Sequence, residues 1–293
     1  MTTPRILVTG ASGQLGTLVI DGLLAELPAA DIAGLVRSEA AAKALQAKGV
    51  AARIGSYDDP ASLDAAMTGI ERVLLISGSE IGKRVPQHRN VIKAAVRAGV
   101  KGLAYTSILR ADTSAMKLAV EHRETEALLA ASGLPHVLLR NGWYVENYTG
   151  SIPTALAHGA HAGAAGEGRI SAATRADYAA AAVKVLAATE FDAGAVLELA
   201  ADEGFTLAEF AAELSQLAGR PVVYADMSED AYRELLVGAG LPAGFADILA
   251  DSDRQAADGS LKDNGKALSR LIGRPTTPWR DAVATAFAAL QPA

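Results

Sequence analysis

The segment Arg5–Gly16 constrains the fold more than any other part of the chain. It reads RILVTGASGQLG, a short apolar run followed by glycines at positions 10, 13 and 16. In a strand–loop–helix motif the first such glycine allows a tight turn, the second lets the backbone approach a ligand, and the third lets the helix lie close to the strand. An ordinary turn also uses glycines, but an amphipathic pattern follows here, as a dinucleotide-binding loop requires.

The helix that follows this loop is the second half of the predicted motif. Its first turn would present free N–H groups and the positive end of the helix dipole to a phosphate. We therefore predict that the loop holds a pyrophosphate through Gly10, Ala11, Ser12, Gly13, Gln14 and Leu15.

Strand-like runs alternate with helical patterns through the first half of the chain. Such alternation predicts right-handed crossovers and a parallel sheet, and continuous apolar runs such as VLLIS indicate a sheet that is covered on both faces. The predicted strands are residues 5–9, 32–36, 51–55, 73–77, 102–106 and 136–140, and the predicted helices are residues 14–27, 38–48, 60–68, 88–98 and 119–132.

The regular alternation of strands and helices ends after about residue 150. The stretch HGAHAGAAGEGRI reads as a glycine-rich loop, and the last part of the chain reads as helices with irregular connections. We predict an α/β fold: a Rossmann-like, doubly wound parallel sheet in residues 1–150, with residues 172–190 packing back on it. Residues 151–171 and 191–293 are predicted to form a smaller, discontinuous α/β region that provides a substrate cleft.

Composition narrows the class of protein. The chain has 293 residues and no cysteine, which excludes disulfides and thiolate catalysis. The net charge of −6 argues against nucleic acid, whose phosphates need a basic face. The first apolar stretch is short and broken by Gly10, unlike a signal peptide, and no apolar run is long enough to span a bilayer. We expect a cytoplasmic protein without membrane insertion.

The end of the second predicted strand bears on the choice of cofactor. In a site for NAD, an acidic residue here holds the ribose hydroxyls. This chain has Arg37 instead, and a guanidinium can hold a 2′-phosphate through charge-assisted bonds. We predict NADPH as the cofactor, with Lys43 as a second cation. The alternative for both residues is a solvated surface charge.

The ends of the third and fourth predicted strands supply further candidates. Asp58 or Asp59 can meet the adenine, although an Asp-Pro helix start explains both. The charged residues Glu80, Lys83 and Arg84 read as a solvated loop, although a loop after the fourth strand could also close over the cofactor. Small residues over the point where the strand order reverses are predicted to contact the middle of the cofactor; these are Ser77, Gly78 and Ser79.

The spacing of these elements resembles the short-chain dehydrogenase/reductase superfamily. Its members usually carry Tyr-x-x-x-Lys on the helix after the fifth strand and a serine near the end of that strand. The strand end at residues 105–107 is present as YTS. When the helix LAVEHRETEALL is matched on Glu126, the tyrosine position holds Leu118 and the lysine position holds His122. The usual proton donor is therefore missing.

This absence favours one substrate class. Reduction of a ketone gives an alkoxide whose conjugate acid has a pKa of about 16, so a positioned proton donor matters greatly. Reduction of a quinone gives a phenolate whose conjugate acid has a pKa of about 10. The difference corresponds to about 8 kcal/mol of charge stabilisation at the reacting oxygen. A site without the Tyr/Lys pair therefore suits a quinone better than a ketone.

Further segments resemble the NmrA-like family of atypical short-chain dehydrogenase/reductases, in particular its bacterial type-2 NAD(P)H:quinone oxidoreductases. The segments are ISGSEIGKRVPQHRNVIKAA, LLRNGWYVENY, SAATRADYAAAA and LSRLIGRPTT, and the similarity covers nearly the whole chain. The resemblance implies an NADPH-dependent reductase that transfers hydride directly to a bound quinone. Neither a flavin nor a metal is expected.

The resemblance also implies that residues 141–144, with the sequence NGWY, lie beside the nicotinamide. Asn141 and Gly142 would contact the cofactor or substrate, and Trp143 and Tyr144 would stack on a flat quinone. Related proteins often have proline where this chain has Asn141, so the amide suggests a hydrogen bond. The alternatives are a turn-forming asparagine and packing of the two aromatic side chains in a core.

The histidines divide into candidates and structural residues. His122 is predicted to face the pocket, and with Asn141 and Tyr144 it completes the set of candidate catalytic residues. The alternative is a helix-surface histidine paired with Glu126. His88 is predicted to be structural. His158 and His161 have a spacing that hints at a metal, but no partner completes a site.

Two other functions remain open at this stage. One is a redox sensor of the NmrA type, which binds NADP(H) and signals through a partner with little or no catalysis. The other is a small-molecule reductase similar to isoflavone reductases, with a different acid. The missing Tyr/Lys pair fits the quinone reductase and the sensor equally well.

Overall fold

The structure is a computed structural model that describes residues 4–290. Short buried strands alternate with helices through its first part, as predicted. The strands are β1 (Ile6–Val8), β2 (Ile32–Val36), β3 (Ala51–Ile54), β4 (Arg72–Leu75), β5 (Gly102–Ile108), β6 (His136–Asn141), β7 (Ala160–Gly163), β8 (Val196–Leu199) and β9 (Val223–Asp226).

The helices of the described residues follow the predicted order up to β6, and four further helices follow α9 near the end of the chain. None is both long and apolar enough to cross a membrane. They are α1 (Gln14–Glu26), α2 (Glu39–Ala47), α3 (Pro60–Ala66), α4 (Arg84–Arg97), α5 (Lys117–Ser132), α6 (Glu146–Thr149), α7 (Ile152–His158), α8 (Arg175–Ala187), α9 (Leu207–Ala218), α10 (Glu229–Gly238), α11 (Ala243–Ala257), α12 (Ala267–Ile272) and α13 (Trp279–Ala288).

One seven-stranded sheet has the order β3-β2-β1-β4-β5-β6-β8. Leu7 of β1 pairs in parallel with Ala33 of β2 on one side and Val73 of β4 on the other. The strand order therefore reverses between β1 and β4, which is the arrangement of a doubly wound sheet. The predicted Rossmann-like fold is confirmed.

The central strands of the sheet, β1, β2, β4, β5 and β6, are buried along nearly their whole length, whereas the edge strands β3 and β8 are partly exposed. Leu7, Val73 and Leu103 have no exposed surface and belong to one core cluster with residues of α3, α4 and α5. Burial of side chains this size contributes about 1.5–3 kcal/mol each. The core thereby fixes the carboxyl ends of β1 and β4, from which the loops of the candidate site project.

The chain divides into two compact units. The first contains residues 1–108, 121–140 and 178–197, and the second contains residues 109–120, 141–177 and 198–293. The predicted division at residue 150 was a division by function, and the two compact units are a division by packing, so the two are not equivalent. The assignment of residues 1–150 to cofactor binding and of the later segments to a substrate cleft stays a prediction.

Two local features differ from the sequence prediction. Within the stretch that read as a loop, β7 pairs in parallel with β9, with His161 opposite Tyr224. The second difference is at α4, which begins at Arg84 and not at His88. Pro86 lies inside its first turn, where the missing N–H would have no intrahelical acceptor, so proline does not prevent the helix from starting earlier.

Candidate functional site

The glycine-rich loop between β1 and α1 has the geometry that its sequence predicts. Gly10 has a φ of +58°, which favours glycine. A Cβ atom on Gly16 would lie 2.2 Å from the Gly10 carbonyl oxygen and 2.8 Å from the Ala11 Cα. Any side chain at position 16 would therefore separate α1 from the loop.

The first turn of α1 is open to an anion. Its N-cap is Gly13, which has no side chain to cap the helix, and the first turn carries no acidic residue. The free N–H groups and the dipole of this helix therefore have no competing partner on the helix itself. This is the arrangement that binds phosphate groups in proteins.

A cavity of about 360 Å³ opens beside this loop within the first unit. That volume is within the range of small-molecule sites. Its walls come from the carboxyl ends of β1, β2, β3 and β4, and they comprise Gly10, residues 12–16, residues 35–37, residues 55–58, residues 76–80 and Gln87.

The cavity brings together most of the predicted cofactor residues of the first unit. Ser12, Gly13, Gln14 and Leu15 lie on one wall, and Ser77, Gly78 and Ser79 lie on another. Ala11 is buried and is held by a hydrogen bond from its N–H to the Leu35 carbonyl. Lys43 is exposed on α2 and is not among the residues that line the cavity.

Arg37 lies on the cavity wall at the end of β2, as the sequence suggested. Its side chain is exposed, and in residues 4–290 no acidic side chain forms an ion pair with it. Its charge nevertheless lowers the pKa of Glu80, which lines the same cavity, after larger effects of hydrogen bonds from Gln87 and Lys83. A guanidinium with free donors, close to the cavity, suits a phosphate group.

The two aspartates after β3 have different roles. Asp59 is the N-cap of α3, and its side chain accepts from the N–H groups of Ala61 and Ser62. Asp58 lines the cavity and accepts from Gln87 Nε2 at 3.2 Å. The structure thus resolves the ambiguity between these residues: Asp59 caps a helix, and Asp58 faces the cavity.

Residues 76–80, the β4 loop, line the same cavity as Arg37. The sequence predicted a solvated loop for the charged residues that follow, and for Arg84 this is wrong. Its side chain is buried, pairs with Glu121 of α5 at 3.2 Å and donates from Nε to the Gly78 carbonyl at 2.8 Å. A buried charge needs such hydrogen-bonded partners. The pattern of apolar and polar residues along the sequence does not indicate which residues they are.

His122 is buried on α5, so the alternative of a surface histidine paired with Glu126 is wrong. Its Nδ1 lies 2.7 Å from the hydroxyl of Tyr105 on β5. Burial lowers the pKa of His122, and the charge of Arg84 and the neighbouring His88 lower it further. Burial likewise raises the pKa of Tyr105. The pair therefore consists of a neutral imidazole and a protonated phenol at neutral pH.

Glu126 binds Arg140 and not His122. Arg140 donates from Nε and Nη2 to the two carboxylate oxygens at 3.0 and 2.7 Å, and Ser107 donates its hydroxyl to Glu126 Oε1 at 2.5 Å. A hydroxyl has one proton to donate. Ser107, at the position of the family's serine, therefore has its proton engaged by Glu126.

The second unit contains the predicted nicotinamide segment. Asn141 is the last residue of β6, and Gly142 donates its N–H to the Leu199 carbonyl at 2.7 Å. The Asn141 Oδ1 atom is buried and has no hydrogen-bond partner within residues 4–290. A buried acceptor without a donor costs about 1–3 kcal/mol. Such an atom fits a site that receives an N–H donor from a ligand, such as a carboxamide.

The two aromatic residues of this segment are held firmly. Trp143 is buried, and its backbone pairs with Ala173. The Arg175 guanidinium lies over the Tyr144 ring, 4.6 Å from its centroid. Burial raises the pKa of Tyr144, while a hydrogen bond with the Asn141 side chain lowers it. Whether either ring stacks on a substrate stays a prediction.

No group of three or more potential metal ligands occurs in residues 4–290. His161 is buried in the second unit, where its ring lies 4.9 Å from that of Phe210. Burial lowers its pKa to about 4. Its Nδ1 lies 3.3 Å from the Ser151 hydroxyl. This histidine is therefore part of an aromatic core.

Tyr57 and Gln87 are among the residues of the cavity wall that the sequence did not predict. Tyr57 lines the cavity, and its hydroxyl donates to the Ile76 carbonyl at 2.9 Å. Gln87 bridges Asp58 and Glu80 through its side-chain amide. Both follow the predicted strand ends at short distances in sequence, but nothing in their spacing indicates which long-range partner they take.

Comparison with known proteins finds relatives that match nearly the whole chain. The Escherichia coli (strain K12) protein "Quinone oxidoreductase 2" is 52% identical over 96% of this chain and 98% of that relative. The crystal structure of the E. coli NADPH-dependent quinone oxidoreductase QOR2 complexed with NADPH matches with a TM-score of 0.94, covering 97% of this chain and 100% of that one. The Citrobacter sp. triphenylmethane reductase complexed with NADP(H) is 36% identical, with a TM-score of 0.91 and coverage of 96% and 100%.

The match to a family model agrees with these relatives. The model of the NmrA-like family covers residues 2–268, which is most of the chain. The similarity therefore extends through the glycine-rich loop, the β4 loop and residues 141–144. The chain belongs to the NmrA-like family.

Proposed function

We propose that the protein is an NADPH-dependent quinone oxidoreductase. The observation that carries the proposal is the cavity beside α1, which combines a helix N-terminus free for phosphate with Arg37, which forms no ion pair within residues 4–290. The 52% identical relative named quinone oxidoreductase 2, and the NADPH complex of QOR2, support the same cofactor and substrate class. A cytoplasmic location stays a prediction.

The residues of the cavity suit the parts of NADPH. The glycine-rich loop and the first turn of α1 would hold the pyrophosphate, and Arg37 would hold the 2′-phosphate. Lys43 lies outside the cavity wall and is not needed for that role. In the second unit, the buried Oδ1 of Asn141, which has no hydrogen-bond partner within residues 4–290, is the proposed acceptor of a hydrogen bond from the carboxamide. Bound NADPH supplies the hydride.

His122 is the proposed hydrogen-bond donor toward the reduced oxygen. A neutral imidazole that accepts from the Tyr105 hydroxyl at Nδ1 carries its proton on Nε2. Burial and the Arg84 charge keep the imidazole neutral by lowering its pKa. A neutral donor is adequate for a phenolate product, whose conjugate acid has a pKa of about 10, but it is a weak acid for an alkoxide.

The test is oxidation of NADPH by purified protein with benzoquinone, naphthoquinone and a simple ketone. We expect turnover with the quinones and none with the ketone. An absorbance scan of the purified protein checks for flavin, which the proposal does not need. Tight NADPH binding without oxidation by any of these electrophiles would overturn the proposal and favour the redox-sensor function.

The candidate substrate residue Asn141 is tested by Asn141→Asp. The change keeps the size of the side chain but places a carboxylate where Oδ1 is buried. We expect quinone turnover to fall at least tenfold, because a buried unpaired charge disturbs both the fold of the site and the electronics of the cofactor. Unchanged turnover would remove Asn141 from the site.

A further inference from the structure

The β4 loop is held in place by side chains and not by strand pairing. The N–H of Ile76 donates to Thr9 Oγ1 at 3.0 Å, and its carbonyl accepts from Tyr57. The N–H of Ser77 donates to Thr106 Oγ1 at 2.9 Å. Because this loop forms one wall of the cavity, the side chains that hold its backbone also determine the shape of that wall.

The backbone of Gly78 is bound at both its N–H and its carbonyl by side chains of α4. The N–H of Gly78 donates to Nε2 of His88 at 2.9 Å, and the carbonyl of Gly78 accepts from Nε of Arg84 at 2.8 Å. His88 has no exposed surface, and Arg84 is 5% exposed. A Cβ atom on Gly78 would lie 3.1 Å from Gln87 Oε1, so the loop sits close against α4.

Both side chains, His88 and Arg84, also bind residues of α5. Because His88 accepts at Nε2, its proton is on Nδ1, which lies 2.9 Å from Thr125 Oγ1. The Thr125 hydroxyl donates to the Glu121 carbonyl at 2.8 Å. The Glu121 carboxylate pairs with Arg84 and accepts from the N–H of Gly82 at 3.0 Å. The backbone of Gly78 is thereby tied to α4 and α5 through a polar chain of Arg84, His88, Thr125 and Glu121, in which the first three are buried and the Glu121 side chain is 16% exposed.

Because the polar chain is largely buried, its hydrogen bonds depend on the identity of residue 88. Burial and the Arg84 charge lower the pKa of His88 to about 3, so it remains neutral and able to accept at Nε2. An apolar side chain at this position would leave the Gly78 N–H and the chain beyond it without partners, and the loop would have to move to satisfy them.

We propose that His88 and Arg84 are positioning residues. They hold the N–H and the carbonyl of Gly78 in the β4 loop and thereby set the affinity for the reduced nicotinamide cofactor. The inference rests on the proposed function, because it takes the cavity to be the NADPH site. Neither side chain needs to touch the cofactor. Their effect is transmitted through the loop backbone, which they hold from behind the cavity wall.

The test measures the dissociation constant of NADPH by nicotinamide fluorescence for wild type, His88→Leu and His88→Gln. Leucine removes the acceptor, and we expect the dissociation constant to rise about tenfold, which corresponds to about 1.4 kcal/mol. Glutamine has an acceptor and a donor at a spacing similar to that of the two imidazole nitrogens. We therefore expect His88→Gln to restore the affinity to within about threefold of wild type, using the same conversion of free energy to affinity.

Two further variants separate positioning from general loss of stability. Val91→Ala changes a fully buried core residue on the same helix, outside the polar chain, and we expect a lower Tm with an NADPH affinity within about twofold of wild type. Thr125→Val is isosteric and removes the hydroxyl to which His88 Nδ1 donates. It therefore tests the polar chain even if His88→Leu fails to fold. We expect it to weaken NADPH binding about threefold, a smaller loss than that from removing the acceptor itself.

The outcomes are distinct. Weaker NADPH binding by His88→Leu or Thr125→Val, with normal binding by Val91→Ala, supports the inference, and so does rescue by glutamine. Normal affinity in both polar-chain variants, or an equal loss in Val91→Ala at equal Tm, overturns it. Failure of the wild-type protein to bind NADPH overturns the proposed function as well, whereas wild-type binding with unchanged variants overturns the inference alone.

Discussion

Arg37 is the residue on which the choice between NADPH and NADH depends. A charge-assisted hydrogen bond contributes about 1.5–3 kcal/mol, which is roughly 10–150-fold in affinity. We expect Arg37→Ala to weaken NADPH binding by at least tenfold and to leave NADH binding within about twofold. Fluorescence titration with each cofactor measures both affinities.

Lys43→Ala is the matched control for this change. Lys43 is also a cation near the end of β2, but it is exposed on α2 and does not line the cavity. We expect both affinities to remain unchanged. Equal losses for NADPH and NADH in Arg37→Ala would show that Arg37 does not contact the 2′-phosphate, and a loss in Lys43→Ala would assign that contact to Lys43.

Individual residues of the site differ in how far the sequence predicts them. Gly10 and Arg37 lie just after the ends of strands, and Gly16 lies in the first turn of α1, so local backbone geometry determines their positions. Arg84 and His88 lie within a helical pattern, and their partners are up to 37 residues away in sequence. A charged or polar residue in such a pattern is normally solvated, so only the packed structure reveals the polar chain.

At the scale of elements, the contact between α1 and the glycine-rich loop is a second point for a test. In Gly16→Ala the added Cβ meets the backbone of Gly10 and Ala11, which cannot rotate away as a side chain can. Overpacking of this kind costs about 1–3 kcal/mol. We expect a lower Tm and at least tenfold weaker NADPH binding, measured by thermal unfolding with and without the cofactor.

Gly244→Ala provides the control for a glycine in a helix. Gly244 lies in α11, and an added Cβ would have no atom within 4 Å. Alanine favours a helix over glycine by about 1 kcal/mol at most. We expect an unchanged or slightly higher Tm and normal NADPH binding. Normal NADPH affinity in Gly16→Ala would show that α1 can move without loss of the phosphate site.

The elements themselves were predicted with uneven success, for a physical reason. Most of the six strands up to β6 are apolar, buried runs, and all six are separated by helices, so the local sequence pattern identifies them. In contrast, β7 and β9 have four residues each, are separated by about 60 residues, and include partly exposed positions. The stretch AHAG has no run of β-branched residues, so its pairing depends on a distant partner that local pattern does not indicate.

At the scale of the whole molecule, a buried acid in the second unit links stability to pH. Asp253 of α11 accepts from the Ala164 N–H at 3.0 Å. Burial raises its pKa to about 7 from an ordinary value of 3.8, and the charge of Asp226 raises it further, against the hydrogen bond from Ala164. The folded protein therefore binds a proton that the unfolded chain releases between about pH 4 and pH 7.

Because the folded state holds more protons in this range, the free energy of unfolding falls as pH rises from about 4 to 7. The pKa difference corresponds to at most about 4 kcal/mol of stability, which is fully present below pH 4 and fully lost above pH 7. Asp253→Asn keeps an acceptor for the Ala164 N–H and cannot ionise. We expect the Tm of Asp253→Asn to exceed that of wild type at pH 8, and the difference to shrink toward pH 4.

Asp258→Asn separates this effect from the loss of any acid on the same helix. Asp258 follows α11, its side chain is 55% exposed, and it pairs with Arg254. An exposed pair contributes about 1 kcal/mol at most, so its removal leaves the pH dependence of Tm close to that of wild type. A Tm difference between Asp253→Asn and wild type that is the same at pH 4 and pH 8 would contradict the prediction, because Asp253 would then ionise at the same pH in the folded and unfolded protein.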